Sequence, residues 1–182
     1  MPYPRKFFSL KPVIVGKDVI APIKNLYKNP EEVGQDRLVN AVAGRALYKN
    51  GLIIIDFGTA VTFDLITKSG EYAGGIITPG MEISIENLAL RAALLPKIKL
   101  QAPASLVGKD TVTSMRSGIF YGYGALCDGL VGKLRERYGK NLKVIATGGH
   151  ARLVKRFAKC IDVVDEDLTL KGLEIIYRYY LE

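Results

Sequence analysis

Hydrophobic and polar positions along this 182-residue chain fall into runs typical of strands and runs typical of helices. Residues 52–55 are four consecutive aliphatic residues, a pattern that favours a strand covered on both faces. Beyond a bend at residues 56–59, apolar Val61, Phe63 and Leu65 alternate with polar residues, as in a strand with one polar and one buried face. Together the two strands predict a β-hairpin with a polar bend.

The order of the remaining elements predicts an α/β fold with a mixed sheet. Apolar residues recur at helical spacing from Asp36 to Tyr48, and Asn50 and Gly51 end that helix. Because hairpin strands and strand–helix crossovers both occur, we expect parallel and antiparallel pairing, in the order βββαβαβα. The other predicted strands are residues 12–16, 72–78, 143–147 and 161–164, and the other predicted helices are residues 81–95, 112–138, 151–159 and 168–181.

The helix predicted at residues 112–138 contains several glycines, too many for a lone surface helix, because each costs about 1 kcal/mol relative to alanine. We therefore expect this helix to pack closely against another element or another subunit. The glycines are Gly118, Gly122, Gly124, Gly129 and Gly132.

Composition excludes several classes of protein. No apolar run approaches the ~20 residues that span a bilayer, and no secretory signal is visible, so we expect a soluble, cytoplasmic protein. Cys127 and Cys160 indicate no disulfide framework, and a single histidine leaves no Cys/His zinc pattern.

The net charge of +8 is compatible with anionic partners. The lysines and arginines are spread along the chain and no aromatic RNA-binding motif occurs, so we expect neither nucleic acid nor a membrane as a partner. Anionic small molecules fit the charge, and a solvated surface rich in lysine is its simplest explanation.

Three short polar groups lie where a turn meets a regular element, and each suits an anionic ligand. A glycine at a bend lets the backbone approach a phosphate, hydroxyls can donate to its oxygens, and a neighbouring carboxylate can hold a cation. An ordinary hairpin turn uses the same residue types, so that alternative stays open. The groups are residues 34–37, residues 56–59 with Thr62, and residues 147–149.

Asp36 lies near a predicted helix N-terminus, where the helix dipole favours a carboxylate; the alternative is a simple N-cap. Beside it, the planar fork of Arg37 suits a carboxylate or phosphate, and Gly34 leaves room for a substrate. The pair predicts a site that orients a small hydroxy acid. Gly148 and Gly149 follow a buried strand and would admit a flat or anionic ligand at the next helix N-terminus.

These motifs resemble those of type III pantothenate kinase, a member of the acetate kinase, sugar kinase, Hsp70 and actin superfamily. The resemblance implies an actin-like, ribonuclease H-like kinase fold and transfer of the ATP γ-phosphate to the 4′-hydroxyl of pantothenate, the first step of coenzyme A synthesis. It also implies Mg²⁺, a monovalent cation (K⁺ or NH₄⁺) and a homodimer. It covers roughly residues 12–180 and is carried by residues 27–41, 55–64, 74–80, 94–96 and 147–149.

The resemblance assigns roles by position. Asp36 would accept the proton of the substrate hydroxyl, and Arg37 would contact the pantothenate carboxylate or a phosphate. Thr111, before the long helix, would reach the pantothenate of the partner subunit, and Asp56 would hold the monovalent cation. Gly34 and Tyr27 would line the pantothenate pocket, and the ATP contacts would be Gly58, Thr59, Thr62, Gly148 and Gly149.

One departure limits the resemblance. Family members begin with a strand–turn–strand that carries Asp-x-Gly-Asn-Thr, the first phosphate motif, and nothing like it precedes Pro12. We therefore expect a truncated N-terminal lobe at residues 1–50, an unpaired sheet edge around residues 12–16, and a C-terminal ribonuclease H-like lobe with the dimerisation helix at residues 51–182. We also expect little or no kinase activity from the 182-residue chain alone.

Two other hypotheses stay open at this point. The chain could be a non-catalytic descendant of the family that binds nucleotide or pantothenate, or that acts as a regulator. It could also be a dimerisation module, which the glycine-rich helix suggests.

Overall fold

The computed structural model describes residues 11–181, apart from the side chain of residue 181. No helix in that part of the chain is long and apolar enough to cross a lipid bilayer. A 3-10 turn occupies Pro30–Glu32. The strands are β1 (Leu52–Phe57), β2 (Ala60–Ile66), β3 (Tyr72–Pro79), β4 (Lys143–Thr147) and β5 (Val163–Val164). The helices are α1 (Gln35–Leu47), α2 (Met81–Arg91), α3 (Thr111–Tyr138), α4 (Ala151–Val154) and α5 (Leu168–Leu181).

The strands form one mixed sheet in the order β3-β2-β1-β4-β5. β1, β2 and β3 pair antiparallel as a meander, whereas β4 and β5 extend the sheet on the other side of β1 by parallel pairing. Asp56 lies opposite Thr62 on β2 and Thr147 on β4. The predicted hairpin and mixed sheet are therefore confirmed, and the carboxyl ends of β1 and β4 meet at one end of the sheet.

Helices cover both faces of the sheet, with β1 in the centre. Ile53, Ile55 and Phe57 pack in one apolar cluster with α2, α3 and α4. Leu52 and Ile54 pack in a second cluster with α1 and α5, and residues 52–55 are fully buried as their pattern predicts. α1 lies before residue 50 in sequence but packs against β1 and α5, which lie after it. The predicted division into two lobes at residue 50 stays a prediction.

Three helices begin and end within one residue of the positions that the sequence predicts, namely α1, α3 and α5. The start of α3 has a local cause. Asp110 accepts the amide of Thr113 at 2.8 Å, and the Thr113 hydroxyl accepts the amide of Asp110 at 3.2 Å. This reciprocal capping box satisfies amides that the first helical turn leaves unpaired.

The strand predicted at residues 12–16 is wrong. Val13 and Ile14 are exposed, and the segment makes an isolated bridge instead of a strand. Gly16 has a φ of +86°, which favours glycine, and Asp18 accepts the amide of Ile14 at 2.9 Å. Because this turn satisfies its backbone groups locally, residues 12–16 contribute no sheet edge, and that expectation is wrong as well.

Three predicted elements are shorter than expected. α2 ends before residue 95, because the backbone is extended at Ala92 and Pro96 disfavours helix just before it. α4 ends before residue 159, since the Asp128 carboxylate accepts the amides of residues 159–160 at 2.8 Å each and draws them out of the helix. The strand predicted at residues 161–164 is reduced to the two residues of β5.

The glycines of α3 divide into two groups. A Cβ at Gly124 would overlap the backbone of Phe157, so the expected close packing against another element holds there. The other glycines have open space where a Cβ would stand, and together with exposed Ala125 they line one side of the helix. This small-residue face of α3 consists of Gly118, Gly122, Ala125, Gly129 and Gly132.

Candidate active site

Asp36 is the second residue of α1, and its side chain is exposed. Its Oδ1 accepts the backbone amide of Arg37 at 2.9 Å. Gly34 leaves the space that this oxygen occupies, since a Cβ there would lie 2.5 Å from Oδ1. Gly34 is itself the N-cap, so the alternative in which Asp36 is a simple N-cap is wrong. Asp36 therefore presents a carboxylate to solvent at the positive end of the helix dipole.

Asp56, near the end of β1, is half-buried, and the charge of Asp36 affects the pKa of its carboxyl. Its Oδ2 accepts a hydrogen bond from Asn40 Nδ2 at 3.1 Å. Burial raises the pKa of the Asp56 carboxyl, the Asn40 hydrogen bond opposes that increase, and the negative charges of Asp36 and Asp64 add to it. Acidic residues from two elements thus act on one another, and a cation beside Asp56 would be stabilised by both.

Gly148, in the turn after β4, lies against Asp56. It has a φ of +88°, and a Cβ there would overlap Asp56 Oδ1 and the backbone of Phe57. Gly149, by contrast, is exposed and has open space where a Cβ would stand. The sequence motif treats the two glycines alike, whereas the structure makes Gly148 a requirement of the fold and places Gly149 beside open space.

The bend between β1 and β2 consists of Gly58 and Thr59, both of which are exposed. The Gly58 amide donates to the Ala60 carbonyl at 3.1 Å, and the Thr59 carbonyl accepts the Gly80 amide at 3.1 Å. These two bonds hold the bend against the N-terminus of α2. An exposed backbone turn with a hydroxyl beside Asp56 has the chemistry that phosphate oxygens require.

Asp64 is a fully buried carboxylate of β2 that accepts hydrogen bonds from three side chains. Arg37 Nε donates to its Oδ1 at 2.8 Å, the Tyr72 hydroxyl donates to the same oxygen at 2.7 Å, and the Thr62 hydroxyl donates to Oδ2 at 3.1 Å. We call these four side chains the Asp64 cluster. Because the Thr62 proton serves Asp64, Thr62 would have to turn its hydroxyl to donate to a phosphate, and its role in ATP binding stays a prediction.

Arg37 is only 7% exposed and is held by Asp64. Burial lowers the pKa of Arg37, but the hydrogen bond and charge of Asp64 raise it more, so the guanidinium stays charged. Burial together with Asp64 raises the pKa of Tyr72, which keeps its phenol a donor. Arg37 Nη2 lies 2.6 Å from Asp64 Oδ1, yet it makes no hydrogen bond of its own to residues 11–181. This nitrogen is fully buried beside the carboxylate, so its charge is balanced by the ion pair with Asp64.

A cavity of about 500 Å³ opens between β2, β3 and the C-terminal half of α3. Tyr27 and Gly75 line it, and a Cβ at Gly75 would overlap Arg37 Nη2. Its walls are mostly apolar, and Lys133 and Arg137 of α3 bring positive charge to them. The cavity can therefore take a small molecule with an apolar body and an anionic group.

Thr111 stands apart from these residues. It is the exposed first residue of α3, which packs on the sheet face opposite to α1 and Asp36. The predicted site residues that the structure gathers at one end of the sheet are Gly34, Asp36, Arg37, Asp56, Gly58, Thr59, Thr62, Gly148 and Gly149, whereas Tyr27 lines the cavity.

Sequence reasoning missed three residues of this region. Asn40 follows Asp36 by four positions and shares its helix face, and that spacing is the signal that could have found it. Asp64 was expected on a polar strand face, but β2 is buried on both faces and that expectation is wrong. Nothing in the sequence pattern marks Tyr72 as a partner of a buried carboxylate.

The mixed five-stranded sheet with helices on both faces belongs to the actin-like, ribonuclease H-like kinase fold, as solved structures show. A Campylobacter jejuni protein described as a conserved Baf family transcriptional activator superposes with a TM-score of 0.60 at 20% identity, over 87% of this chain and 68% of that one. A Sinorhizobium meliloti protein described as a 2-dehydro-3-deoxygalactonokinase gives 0.55 at 13% identity, over 81% and 59%. At such identities these likenesses show the fold alone.

Closer sequence relatives give the family. The family model described as type III pantothenate kinase matches residues 3–133. The type III pantothenate kinase of Syntrophus aciditrophicus is 48% identical over 177 residues, which cover 97% of this chain and 70% of that protein. That of Citrifermentans bemidjiense is 48% identical over 174 residues, which cover 96% and 68%. The chain belongs to the type III pantothenate kinase family of phosphotransferases, and the predicted fold, family and kinase function are confirmed.

Removing the central carboxylate of the Asp64 cluster should destabilise the protein. Asp64→Ala leaves Arg37 as an unpaired buried charge, and we expect a loss of about 3–5 kcal/mol in the free energy of unfolding. Thr62→Val is the matched control, because it removes one donor but keeps the ion pair, and should cost about 1–2 kcal/mol. Urea unfolding followed by circular dichroism measures both. Equal losses would show that the buried ion pair is not the main support.

Proposed function

We propose that this protein transfers the γ-phosphoryl group of ATP to the 4′-hydroxyl of pantothenate. The observation that carries the proposal is that two acidic residues lie near one another: Asn40, one helical turn after Asp36 on the same face of α1, donates to Asp56 at the end of β1. Turns that contain glycine border both residues, and the exposed turn at Gly58 and Thr59 offers backbone and a hydroxyl to a phosphate chain.

In the proposed reaction, Asp36 accepts the proton that leaves the pantothenate hydroxyl. Phosphoryl transfer has a loose transition state, so positioning and charge neutralisation matter more than a strong base. The Arg37 amide holds Oδ1 of Asp36, which leaves Oδ2 for the hydroxyl. An exposed carboxylate at a helix N-terminus is sufficient for this step.

Asp56 is the proposed ligand of a monovalent cation, K⁺ or NH₄⁺. Its carboxylate is half-buried near other negative charges, which makes a positive partner favourable. Residues 11–181 contain no group of three or more His, Cys, Asp or Glu side chains that could hold a metal ion, so we expect Mg²⁺ to be held mainly by the ATP phosphates. Bound cations would neutralise phosphate charge in the transition state.

The glycine turns are the proposed contacts of ATP. Gly58 and Thr59 expose backbone and a hydroxyl beside Asp56, where phosphate oxygens would lie. Gly148 and Gly149 would face the adenosine, with Gly148 closing against Asp56 and Gly149 leaving open space. Thr62 would join the phosphate contacts when its hydroxyl turns away from Asp64.

Pantothenate matches the chemistry of the cavity beside Tyr27. Its dimethyl group is apolar, as are most of the walls, and its carboxylate needs a positive partner. Lys133 and Arg137 of α3 supply positive charge at the cavity wall. Tyr27 is the proposed pantothenate contact in this cavity, and Gly34 and Arg37 are proposed contacts by the family resemblance.

The small-residue face of α3 is the proposed homodimer contact. Unpacked glycines cost a helix about 1 kcal/mol each, and a second helix packed on them would offset that cost. If two copies of α3 pack antiparallel with Ala125 at the centre, Thr111 of one helix comes level with residue 139 of the other, since each is 14 positions from Ala125. Arg137 lines the cavity at that end, so Thr111 could reach the partner's pantothenate.

We infer a cytoplasmic location for this reaction. It consumes ATP, and Cys127 and Cys160 are free thiols, as in a reducing compartment. Burial raises the pKa of Cys127 to about 12, which keeps that thiol protonated.

Replacing the proposed proton acceptor tests the mechanism directly. In a chain that also carries the first phosphate motif, Asp36→Asn should lower kcat by about 10²-fold or more, because general base catalysis contributes that much. Glu86→Gln, an exposed change on α2, is the control and should leave kcat unchanged. An assay that couples ADP release to NADH oxidation measures both. Full turnover by Asp36→Asn would exclude Asp36 as the acceptor.

The 182-residue chain itself should turn over little or no ATP and pantothenate. Its sequence contains no Asp-x-Gly-Asn-Thr motif to hold the other side of the phosphates. The same assay on the purified 182-residue chain checks this expectation, and calorimetry with pantothenate shows whether the substrate still binds. Steady turnover would contradict it, whereas binding without turnover is the expected result.

A bulky charge on the small-residue face should separate the proposed dimer. Gly122→Lys places a long cation where two helices would touch, so we expect a monomer. Leu170→Lys changes an exposed residue of α5 and should leave the dimer intact. Light scattering coupled to size-exclusion chromatography gives the mass of each. A monomeric unmodified protein, or a dimeric Gly122→Lys variant, would contradict the proposed contact.

A further inference from the structure

A fully buried amide connects Asp56 to the last helix. Asn40 of α1 is fully buried, and its Nδ2 donates to Asp56 Oδ2 at 3.1 Å. Its Oδ1 accepts a hydrogen bond from Thr169 Oγ1 at 2.7 Å. Thr169 is the second residue of α5, so three elements meet in this one chain of hydrogen bonds.

The donor and acceptor chemistry of these groups favours one orientation of the Asn40 amide. An ionised carboxylate can only accept, so Asp56 requires the NH₂ group of Asn40 to face it. The amide oxygen then points at Thr169, whose hydroxyl supplies the proton it needs. Without that hydroxyl, the amide oxygen would be buried and unpaired, which is unfavourable. Thr169 thus supports the orientation of Asn40 that serves Asp56.

The Asn40 hydrogen bond also determines which way the Asp56 carboxylate faces. Oδ2 is tied to α1 by Asn40. Oδ1 is the oxygen that a Cβ at Gly148 would overlap, and it also lies nearest to the Cβ position of Gly58, at 3.6 Å. Oδ1 therefore faces the two glycine turns that are the proposed contacts of ATP.

Close packing of α5 on α1 brings Thr169 within reach of Asn40. A Cβ at Gly172 would overlap the carbonyl of Val39, so the helices approach closely at this point. Gly172 lies one helical turn after Thr169, on the same side of α5, and Val39 adjoins Asn40 in sequence. The contact thus lies next to the hydrogen bond and holds its distance.

We propose that Asn40 and Thr169 are positioning residues for Asp56: through them, α5 holds the carboxylate with Oδ1 presented to the cation and the phosphates. The inference rests on the proposed role of Asp56 as a cation ligand. Thr169 lies 129 positions from Asn40 in sequence. The inference therefore assigns α5 a role in a site whose sequence motifs all lie outside that helix. Groups that hydrogen-bond to a metal ligand commonly change the affinity for the ion by roughly 10- to 100-fold.

The test uses the 182-residue protein with Thr169→Val, which removes the hydroxyl but keeps a similar shape, and Thr169→Ser, which keeps the hydroxyl. The first readout is the hydrogen exchange of the Asn40 side-chain amide in ¹H–¹⁵N spectra. Exchange should be roughly fivefold faster or more in Thr169→Val, the effect of one lost hydrogen bond, and unchanged in Thr169→Ser. Should Thr169→Val fail to fold by circular dichroism, the smaller Thr169→Ala replaces it.

The second readout uses a chain that also carries the first phosphate motif, and it is thermal stabilisation by KCl relative to LiCl at equal ionic strength, with Mg²⁺ and ATP present. Thr169→Val should raise the KCl concentration for half of the maximal Tm shift by about tenfold, and Thr169→Ser by less than about twofold. Recovery with serine separates positioning by the hydroxyl from loss of packing, which would affect both variants.

Unchanged Asn40 exchange in Thr169→Val would overturn the inference, and so would a Thr169→Ser variant that behaves like Thr169→Val. Altered exchange with equal KCl requirements in all proteins would overturn the link from positioning to cation binding. If the unmodified protein shows no response to KCl, the proposed cation role of Asp56 fails, and Asn40 exchange alone then decides whether Thr169 orients the amide.

Discussion

The buried carboxylate of Asp64 holds the N-terminus of α1 on the sheet. Through Arg37, Tyr72 and Thr62 it joins α1, β3 and β2. A buried charge is tolerated only with close partners, so the position of Arg37 is strongly constrained. Asp36 is the residue just before Arg37 in the helix, and its carboxylate accepts the backbone amide of Arg37. The group proposed to accept the substrate proton is thus placed by a carboxylate that serves the fold.

Asp56 shows the opposite use of a carboxylate. The neutral amide of Asn40 donates to it, and burial, with a smaller contribution from the charges of Asp36 and Asp64, raises the pKa of the Asp56 carboxyl. Such a group destabilises the empty site and gains from a bound cation. Asp64 is paired with Arg37 and stabilises the fold. Asp56 has no ion-pair partner among residues 11–181 and is suited to bind a cation.

Elements with local signals were predictable from the sequence, and contacts between distant residues were not. The hairpin followed from four aliphatic residues and an alternating run, and α1 from apolar residues at helical spacing. The apolar run at residues 12–16 misled, because such a run does not reveal whether a partner strand lies beside it. The motifs identified Asp36 and Asp56, but the bond from Thr169 to Asn40 joins residues whose proximity only the packing of α5 on α1 creates.

The central claim is that Asp36 and Asp56 share one site, and the pKa of the Asp56 carboxyl tests it most directly. ¹³C NMR can follow that carboxyl through a pH titration in the unmodified protein and in Asp36→Asn. The account predicts a pKa above the ordinary aspartate value of 3.8, and a lower pKa once the charge of Asp36 is removed. A pKa at or below the ordinary value that does not change in Asp36→Asn would contradict it.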